Sequence, residues 1–596
     1  MTGPGLEVTG DRSVGSANGW VISGDGNVVL TVDGRSQVSV DLPAGAADAG
    51  RLLFGPVRRQ GSALVGSWLR PDAGVVAVEP RPEAEELAGW CVSGRGPLVK
   101  LVRGTGGQGK THLAGQVCAR LRDRGWLAGF VQMPPANWRS VALTDLTGPG
   151  AEADRLRRQL RRVPELVAAV RGLARLRARA LLVVDYAENA GPVVAELLDV
   201  IADACAESSV RVLLLARTDE GWFRDLTDGH PLAEWIDPRP VVLQALSAGW
   251  DPAHAAQVWR NAIDGFAARA AEEGIAVDRA VARPETPGRG FATTLDLYAD
   301  ALLSVLNSGP SAALHADDAV AGVLAHERRQ VSSGLQAVGL DLDETQRDWA
   351  LATIALRAAA DLDEATRVLG AAGALAGVGE GRRRRLAGRL HELYPDPAGL
   401  ELWQAPTPDR LTDTHLLDLA RRAPSRSQWC RDLAALCGTA DEQAAGRTVT
   451  VLHRCLSAPG RHADGRQRIR AGIAALVRGY PGAYVPIVAV VDPSGFGDDL
   501  IATIGDATPI MAIADVKRLD ALLRELGFAT TRTAVAVAVS QRLVANRRGG
   551  PDGRPEELNR HAVELNNLSV RLGELGRQEE GLAAIEEAVA IRRTLA

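Results

Sequence analysis

Lysine is nearly missing from this chain of 596 residues: Lys100, Lys110 and Lys517 occur, and the rest of the 68 basic side chains are arginine, as GC-rich bacterial coding produces. Set against 73 acidic residues they leave a net charge of −5, which excludes a global positive field drawing the molecule onto nucleic acid or an anionic membrane. Any nucleic-acid contact has to be local. Long hydrophobic runs are also missing: no stretch approaches the about 18 apolar residues of a membrane span, and no basic segment followed by an apolar stretch opens the sequence. A soluble, cytoplasmic protein without a membrane partner is the expectation. Cysteine is sparse. Cys91, Cys118, Cys205, Cys430, Cys437 and Cys455 form no CxxC pair and no zinc-like spacing with histidine, so they read as buried thiols in a reducing compartment.

What is present is ordinary globular material, 46% hydrophobic and 24% charged, which excludes a chain disordered throughout. At roughly 150 residues per domain the length predicts about four domains. Residues 1–80 form a Gly/Ser-rich segment with two short alternating runs, 28–32 and 36–40, and Asp33-Gly34 between them predicts a hairpin. From 81 to 245 apolar strands (97–102, 126–132, 181–185, 210–216, 240–243) alternate with helical segments such as Lys110 to Arg122. Continuous Val/Leu runs mean strands covered on both faces, hence a parallel α/β sheet. Beyond 245 strand signals fade. The expectation is a helical domain over 246–310, a second over 311–425, an α-helical stack over 426–555, and a helical hairpin over 556–596 with apolar faces at Leu565, Leu568, Leu572 and at Leu582, Ile585, Ala588, Val589.

Gly104-Thr105-Gly106-Gly107-Gln108-Gly109-Lys110-Thr111 satisfies G-x-x-x-x-G-K-[ST] between a strand and a helix, with His112 next in line. Four glycines let backbone N–H groups wrap a phosphate, and the helix behind aims its positive end at the same anion. Lys110 is expected to reach the β/γ-phosphates and the Thr111 hydroxyl to ligate Mg²⁺. A lysine here stands out in a chain that otherwise uses arginine, which fits a phosphate loop poorly as a point charge. Asp185 closes an apolar strand as a Walker B aspartate does, and is expected to hold Mg²⁺. Glu188 reads either as the group that polarises an attacking water or as a solvated carboxylate. Arg217, at the tip of the next strand, reads either as a γ-phosphate sensor or as a surface ion pair.

These residues, with the segments Leu181 to Glu188 and Leu213 to Arg217, resemble the STAND class of signalling P-loop NTPases, relatives of the NB-ARC and NACHT modules. Tyr186 stands where a small residue is common and Asn189 where an acid is. The likeness extends through Leu243-Gln244-Ala245-Leu246, Leu324-Ala325-His326-Glu327, Leu393-Tyr394-Pro395 and Pro408-Asp409-Arg410-Leu411, with Gly290-Phe291-Ala292-Thr293 near the place of a Gly-x-Pro motif. His561 to Ala596 resembles one tetratricopeptide repeat, with Gly581 at a position that prefers Ala. It reads as the cap of a helical stack, as part of a longer array, or as an amphipathic hairpin of chance similarity. The resemblance implies winged-helix-like character over 311–425 and a switch: ADP closes the molecule, a partner on the C-terminal helices loosens it, and ATP favours an open homo-oligomer with slow hydrolysis as reset, in defence or regulation.

Two other functions stay open. An ATP-dependent transcriptional regulator would contact DNA through 311–425, where Arg382-Arg383-Arg384-Arg385 is the most basic run, although Glu380 and Glu392 nearby favour a solvated helix face. A remodelling ATPase of the AAA+ kind would carry glutamate directly after Asp185. Trp90, Trp126, Trp349 and Trp403 have apolar neighbours and read as core; Trp222 and Trp250 have more polar ones. His230, His315 and His326 lack partners at metal-ligand spacing, so no metal beyond nucleotide-bound Mg²⁺ is expected.

Overall fold

The computed structural model describes residues 20–22, 27–32, 36–41, 53–54, 64–70, 73–76, 79–93, 96–131, 179–189, 194, 197–199, 201, 210–217, 222–229, 233–244, 251–275, 291, 293–307, 316–396, 401–438, 442–458, 462–490, 503–504, 506–526, 530–548 and 555–595. Asp33, Gly34, Cys205, His230, Ala245, Leu246, Trp250, Gly290, Ala292 and His315 lie outside them. Near the N-terminus, β1 (Trp20–Ile22), β2 (Asn27–Val32) and β3 (Ser36–Asp41) form an antiparallel sheet. The expected hairpin is the β2–β3 pair, in register Val32 to Ser36, and β1 adds a third strand that the sequence pattern did not announce.

A second sheet contains β4 (Leu53–Phe54), β5 (Val99–Arg103), β6 (Leu127–Val131), β7 (Ala180–Val184), β8 (Val210–Ala216) and β9 (Val241–Val242) in the order β4-β6-β7-β8-β5-β9. From β6 to β9 all neighbours are parallel; β4 is an antiparallel edge. Side chains of β7 and β8 alternate between two cores, Leu182, Val184, Val212 and Leu214 on one face and Leu181, Val183, Leu213 and Leu215 on the other, which is why these strands read as unbroken apolar runs. The order matters for function. It seats β8 between β5 and β7, so three strand tips open side by side.

Behind the sheet come helices. Pro252–Glu272 begins at an Asp251 cap, and Thr294–Leu306 begins at a capping box in which Thr293 and Asp296 satisfy each other's backbone N–H groups. The turn Val65–Leu69 packs with them through Val65, Trp68 and Leu69. Helices Ala316–Gln336, Glu344–Leu356, Leu362–Ala371 and Glu380–Leu393 follow, with an isolated antiparallel bridge between Pro395 and Trp403. Then come Asp409–Arg422, Arg426–Cys437, Glu442–Leu456 and Ala463–Gly479. One apolar cluster joins Leu64 to described residues between Val331 and Leu543. The architecture is thus a parallel α/β core followed by a long helical extension.

The final pair, Pro555–Glu574 and Gln578–Leu595, turns at Gly576, whose φ of +75° suits glycine. Its inner face differs from the expectation. Leu565, Leu568 and Leu572 pack on Ala584 and Ala588, whereas Leu582 and Val589 are exposed. The second helix is rotated because Gly581 lies against the first: a Cβ there would come 3.1 Å from the Ser569 carbonyl oxygen. Tryptophans 90, 126, 222, 349 and 403 are buried, so Trp222 joins the core fillers. Cys91, Cys118, Cys437 and Cys455 are buried free thiols, and Cys430 is a partly buried one. Among the described residues no helix is long and apolar enough to cross a membrane.

Candidate functional site

The loop after β5 is bound to its neighbours through its backbone. Gly104 N–H donates to the Ala216 carbonyl at the end of β8 (3.1 Å), and Leu295 N–H donates to the Gly107 carbonyl (3.2 Å). Gly107 has φ +87°, and a side chain on it would come within 3.1 Å of both Leu295 Cβ and Thr293 Oγ1. Only glycine lets the loop meet the capped start of the Thr294–Leu306 helix this closely. The helix Lys110–Arg122 starts from Gly109, also left-handed, with no side chain capping its first N–H groups. Its positive end therefore stays available to an external anion. Lys110 curls beneath the loop and donates from Nζ to the carbonyls of Gly104 (2.5 Å) and Thr105 (3.2 Å). Burial, with Arg217 nearby, pushes its ammonium down to about 8.

Beside it, the Thr111 hydroxyl donates to Asp185 Oδ2 (2.9 Å), while Asp185 Oδ1 accepts the Tyr186 N–H (3.0 Å). Glu188 is not a solvated carboxylate. Its Oε1 accepts the Arg217 backbone N–H (3.2 Å), and its buried Oε2 has no hydrogen-bond partner among the described residues. Burial raises the carboxyls of both Asp185 and Glu188 above their ordinary values. Thr111 and Asp185, an oxygen pair next to a phosphate-type loop, suit Mg²⁺. Elsewhere among the described residues no cluster of three or more His, Cys, Asp or Glu could hold a metal.

Arg217 is no surface ion pair either; its side chain is only 13% exposed. Its guanidinium reaches Asp409 Oδ2 (3.5 Å) and Asp413 Oδ2 (3.8 Å), both on the Asp409–Arg422 helix, and lies 6.0 Å from the centre of the Tyr186 ring. Arg454, from the Glu442–Leu456 helix, pairs with the same two carboxylates at 2.8 and 2.6 Å. The Tyr186 hydroxyl donates to Asp409 Oδ2 as well. Tyr186 is the non-glycine residue with positive φ (+56°) among those described. Burial alone would raise Asp409, but Arg454 and Arg217 bring it below its ordinary value; burial would lower Arg454, but Asp409 and Asp413 hold it well above.

These groups border a cavity of about 160 Å³. Its floor is Gly106, Gly107, Gly109, Lys110, Thr111 and His112; Asp185, Tyr186 and Arg217 form one wall; Leu69, Leu295 and Tyr298 form an apolar wall; Pro408, Asp409, Arg410, Asp413 and Ala458 close it from the helical side. Gln108 does not line it: its carbonyl accepts a bond from Arg81, which braces the loop from outside. Sequence reasoning passed over Leu69, Arg81, Tyr298, Asp413 and Arg454. Asp413 left one usable trace, since two carboxylates four apart on a helix repel and call for a cation. The arginine run is an exposed helix face: Arg382, Arg384 and Arg385 are exposed, although Arg382 donates to the Asp341 carbonyl, Arg383 to the Val378 carbonyl, and Arg384 pairs with Asp363. The His326 ring is hydrogen-bonded to Asn307 Oδ1 at 2.8 Å.

No protein-family model matches the chain, and no curated protein matches it. Solved structures are weakly similar, two of them as follows. A Signal Transduction ATPase with Numerous Domains protein with a tetratricopeptide repeat sensor, from Pyrococcus horikoshii, aligns over 87% of this chain and 77% of its own, at 12% identity and a TM-score of 0.25. The ORC2 protein of Aeropyrum pernix, solved in ADPNP–ADP complexes, aligns over 52% of this chain and 81% of its own, at 18% identity and a TM-score of 0.25.

Proposed function

We propose that the chain is a nucleotide-operated signalling switch that binds ATP or ADP with Mg²⁺, hydrolyses ATP slowly, and changes its helical packing and self-association with the nucleotide held. One observation carries the reading: three adjacent strand tips bring a glycine loop with Lys110, the Thr111–Asp185 pair and Arg217 around one cavity, whose other side is made of helices far along the chain. Lys110, now spent on the loop's own carbonyls, is free to turn onto β- and γ-phosphate oxygens. Thr111 and Asp185 would hold Mg²⁺, which when bound neutralises charge between those phosphates. Glu188 orients a water through its unpartnered Oε2. Leu69, Leu295 and Tyr298 offer the apolar wall a base needs.

The C-terminal helices are the natural surface for a protein partner. The test is to identify the nucleotide retained by purified protein and to follow mass in solution after exchange into ATP and into ADP. Lys110→Ala should abolish retention, and Glu188→Gln should preserve binding while slowing hydrolysis by about 10²-fold or more. No heat on titrating ATP or GTP into folded, ligand-stripped protein would overturn the reading.

A further inference from the structure

Arg217 has two competing claims on it. Its guanidinium carbon and both terminal nitrogens lie 3.5 to 3.6 Å from where a side chain on Gly106 would begin, so it rests on the crest of the phosphate-type loop. The same guanidinium is engaged by Asp409 and Asp413. Resting on the reading of the cleft as a nucleotide site, we propose that Asp409 and Asp413 set the preference of that site for a diphosphate over a triphosphate, by withholding Arg217 from the terminal phosphate.

The charge arithmetic shows why the two pairings exclude each other. Arg217 and Arg454 balance Asp409 and Asp413, and three of the four side chains are 13% exposed or less, with Asp413 at 2%. Were a terminal phosphate to draw Arg217 away, Arg454 alone would face two carboxylates in a nearly dry place. One cation would then serve two carboxylates, and the uncompensated negative charge left in that place favours release of the Asp409–Arg422 helix. A diphosphate makes no such demand. The helix can then remain docked.

Tyr186 belongs to the same device. It stands directly after Asp185, in a left-handed backbone conformation that costs a non-glycine residue about 1 kcal/mol or more, and that conformation accompanies a hydroxyl bond to Asp409. Arg454 supplies the link outward. It sits two residues before the end of the Glu442–Leu456 helix, and Ala458 just beyond lines the cavity. A pull on that helix therefore acts on the carboxylates that hold Arg217. By linkage, whatever undocks it raises affinity for the triphosphate relative to the diphosphate.

The experiment is a double-mutant cycle on the full chain, stripped of nucleotide, with calorimetric titration of ADP and of a non-hydrolysable ATP analogue. Asp409→Asn should raise the analogue-to-ADP affinity ratio by about 5- to 150-fold. Arg217→Met should lower that ratio, and Asp409→Asn added to Arg217→Met should leave it unmoved, because the competition needs the arginine. A purely structural role for Asp409 would shift the ratio equally in both backgrounds, and that result, or a change under twofold in the parent background, refutes the inference while leaving the nucleotide site intact. If the parent binds neither ligand, the reading of the cleft fails and the inference fails with it. Should Asp409→Asn not fold, Tyr186→Phe carries the test with the same sign and a smaller size, and an unchanged ratio there counts against the inference.

Discussion

Glu327 shows how a single carboxyl can report on a contact far from any reaction. Its Oε2 accepts the Gly66 N–H (3.1 Å), its Oε1 accepts the Tyr394 hydroxyl (2.8 Å), and burial pushes it up to about 7. Gln330, one helical turn on, accepts the Val65 N–H. Together they hold the Val65–Leu69 turn, whose Leu69 enters the cavity. Because the folded value lies above the ordinary one, the folded state binds the extra proton, and stability falls as pH rises from about 4.5 to about 7. The total is on the order of 3 kcal/mol. His415, buried and pushed down to about 4, runs the other way: its contribution is present at neutral pH and is lost as pH falls from about 6.5 through about 4. Glu327→Gln should therefore flatten the loss between pH 5 and 7 in urea titrations, and an unchanged profile would assign that slope to other groups. Gly107→Ala is expected to destabilise by about 1 to 2 kcal/mol in the same assay, from its positive φ and its contact with Leu295.

At the level of elements, what the sequence revealed was what is local. The phosphate-type loop, its strand and its helix depend on neighbours in sequence, and the helix Lys110–Arg122 matches its expected bounds. The helix Glu344–Leu356 does not run on to Asp361, although Ala/Leu-rich sequence continues through the break. The chain leaves the helix after Leu356 because Arg357 is extended, its side chain donating to the Leu436 carbonyl and its own carbonyl accepting from Trp403. Asp361 caps the following helix instead. No glycine or proline marks that break, so only distant packing decides it. The clamp around Arg217 was illegible for the same reason: Asp409 lies 192 residues away in sequence, and Arg454 is one arginine among many. Arg571 is another concealed connection. It reaches Asp520, Ser540 and the Ala536 carbonyl, tying the helix Pro555–Glu574 to Ile513–Leu526 and Thr530–Arg548. Arg571→Met should cost about 3 kcal/mol and detach the last helix pair at lower urea than the rest, visible by pulsed proteolysis; cooperative loss of the whole chain at the parent's midpoint would argue against it.

For the whole molecule, the helical extension is not an appendage hung on the sheet. It completes the cavity wall with Pro408, Asp409, Asp413 and Ala458, and one apolar cluster links its described helices as far as Leu543. Hydrogen exchange should accordingly show Asp409–Arg422 and Glu442–Leu456 gaining exchange together when a triphosphate analogue replaces ADP; independent responses would deny a shared unit. The atom behind this expectation is Asp409 Oδ2, which receives Tyr186 and Arg217 from the sheet and Arg454 from the helices. The two arginines repel each other yet hold the same two carboxylates, so sheet and helices are fastened through one shared balance of charge, and freeing either arginine leaves the other to carry both acids across the seam.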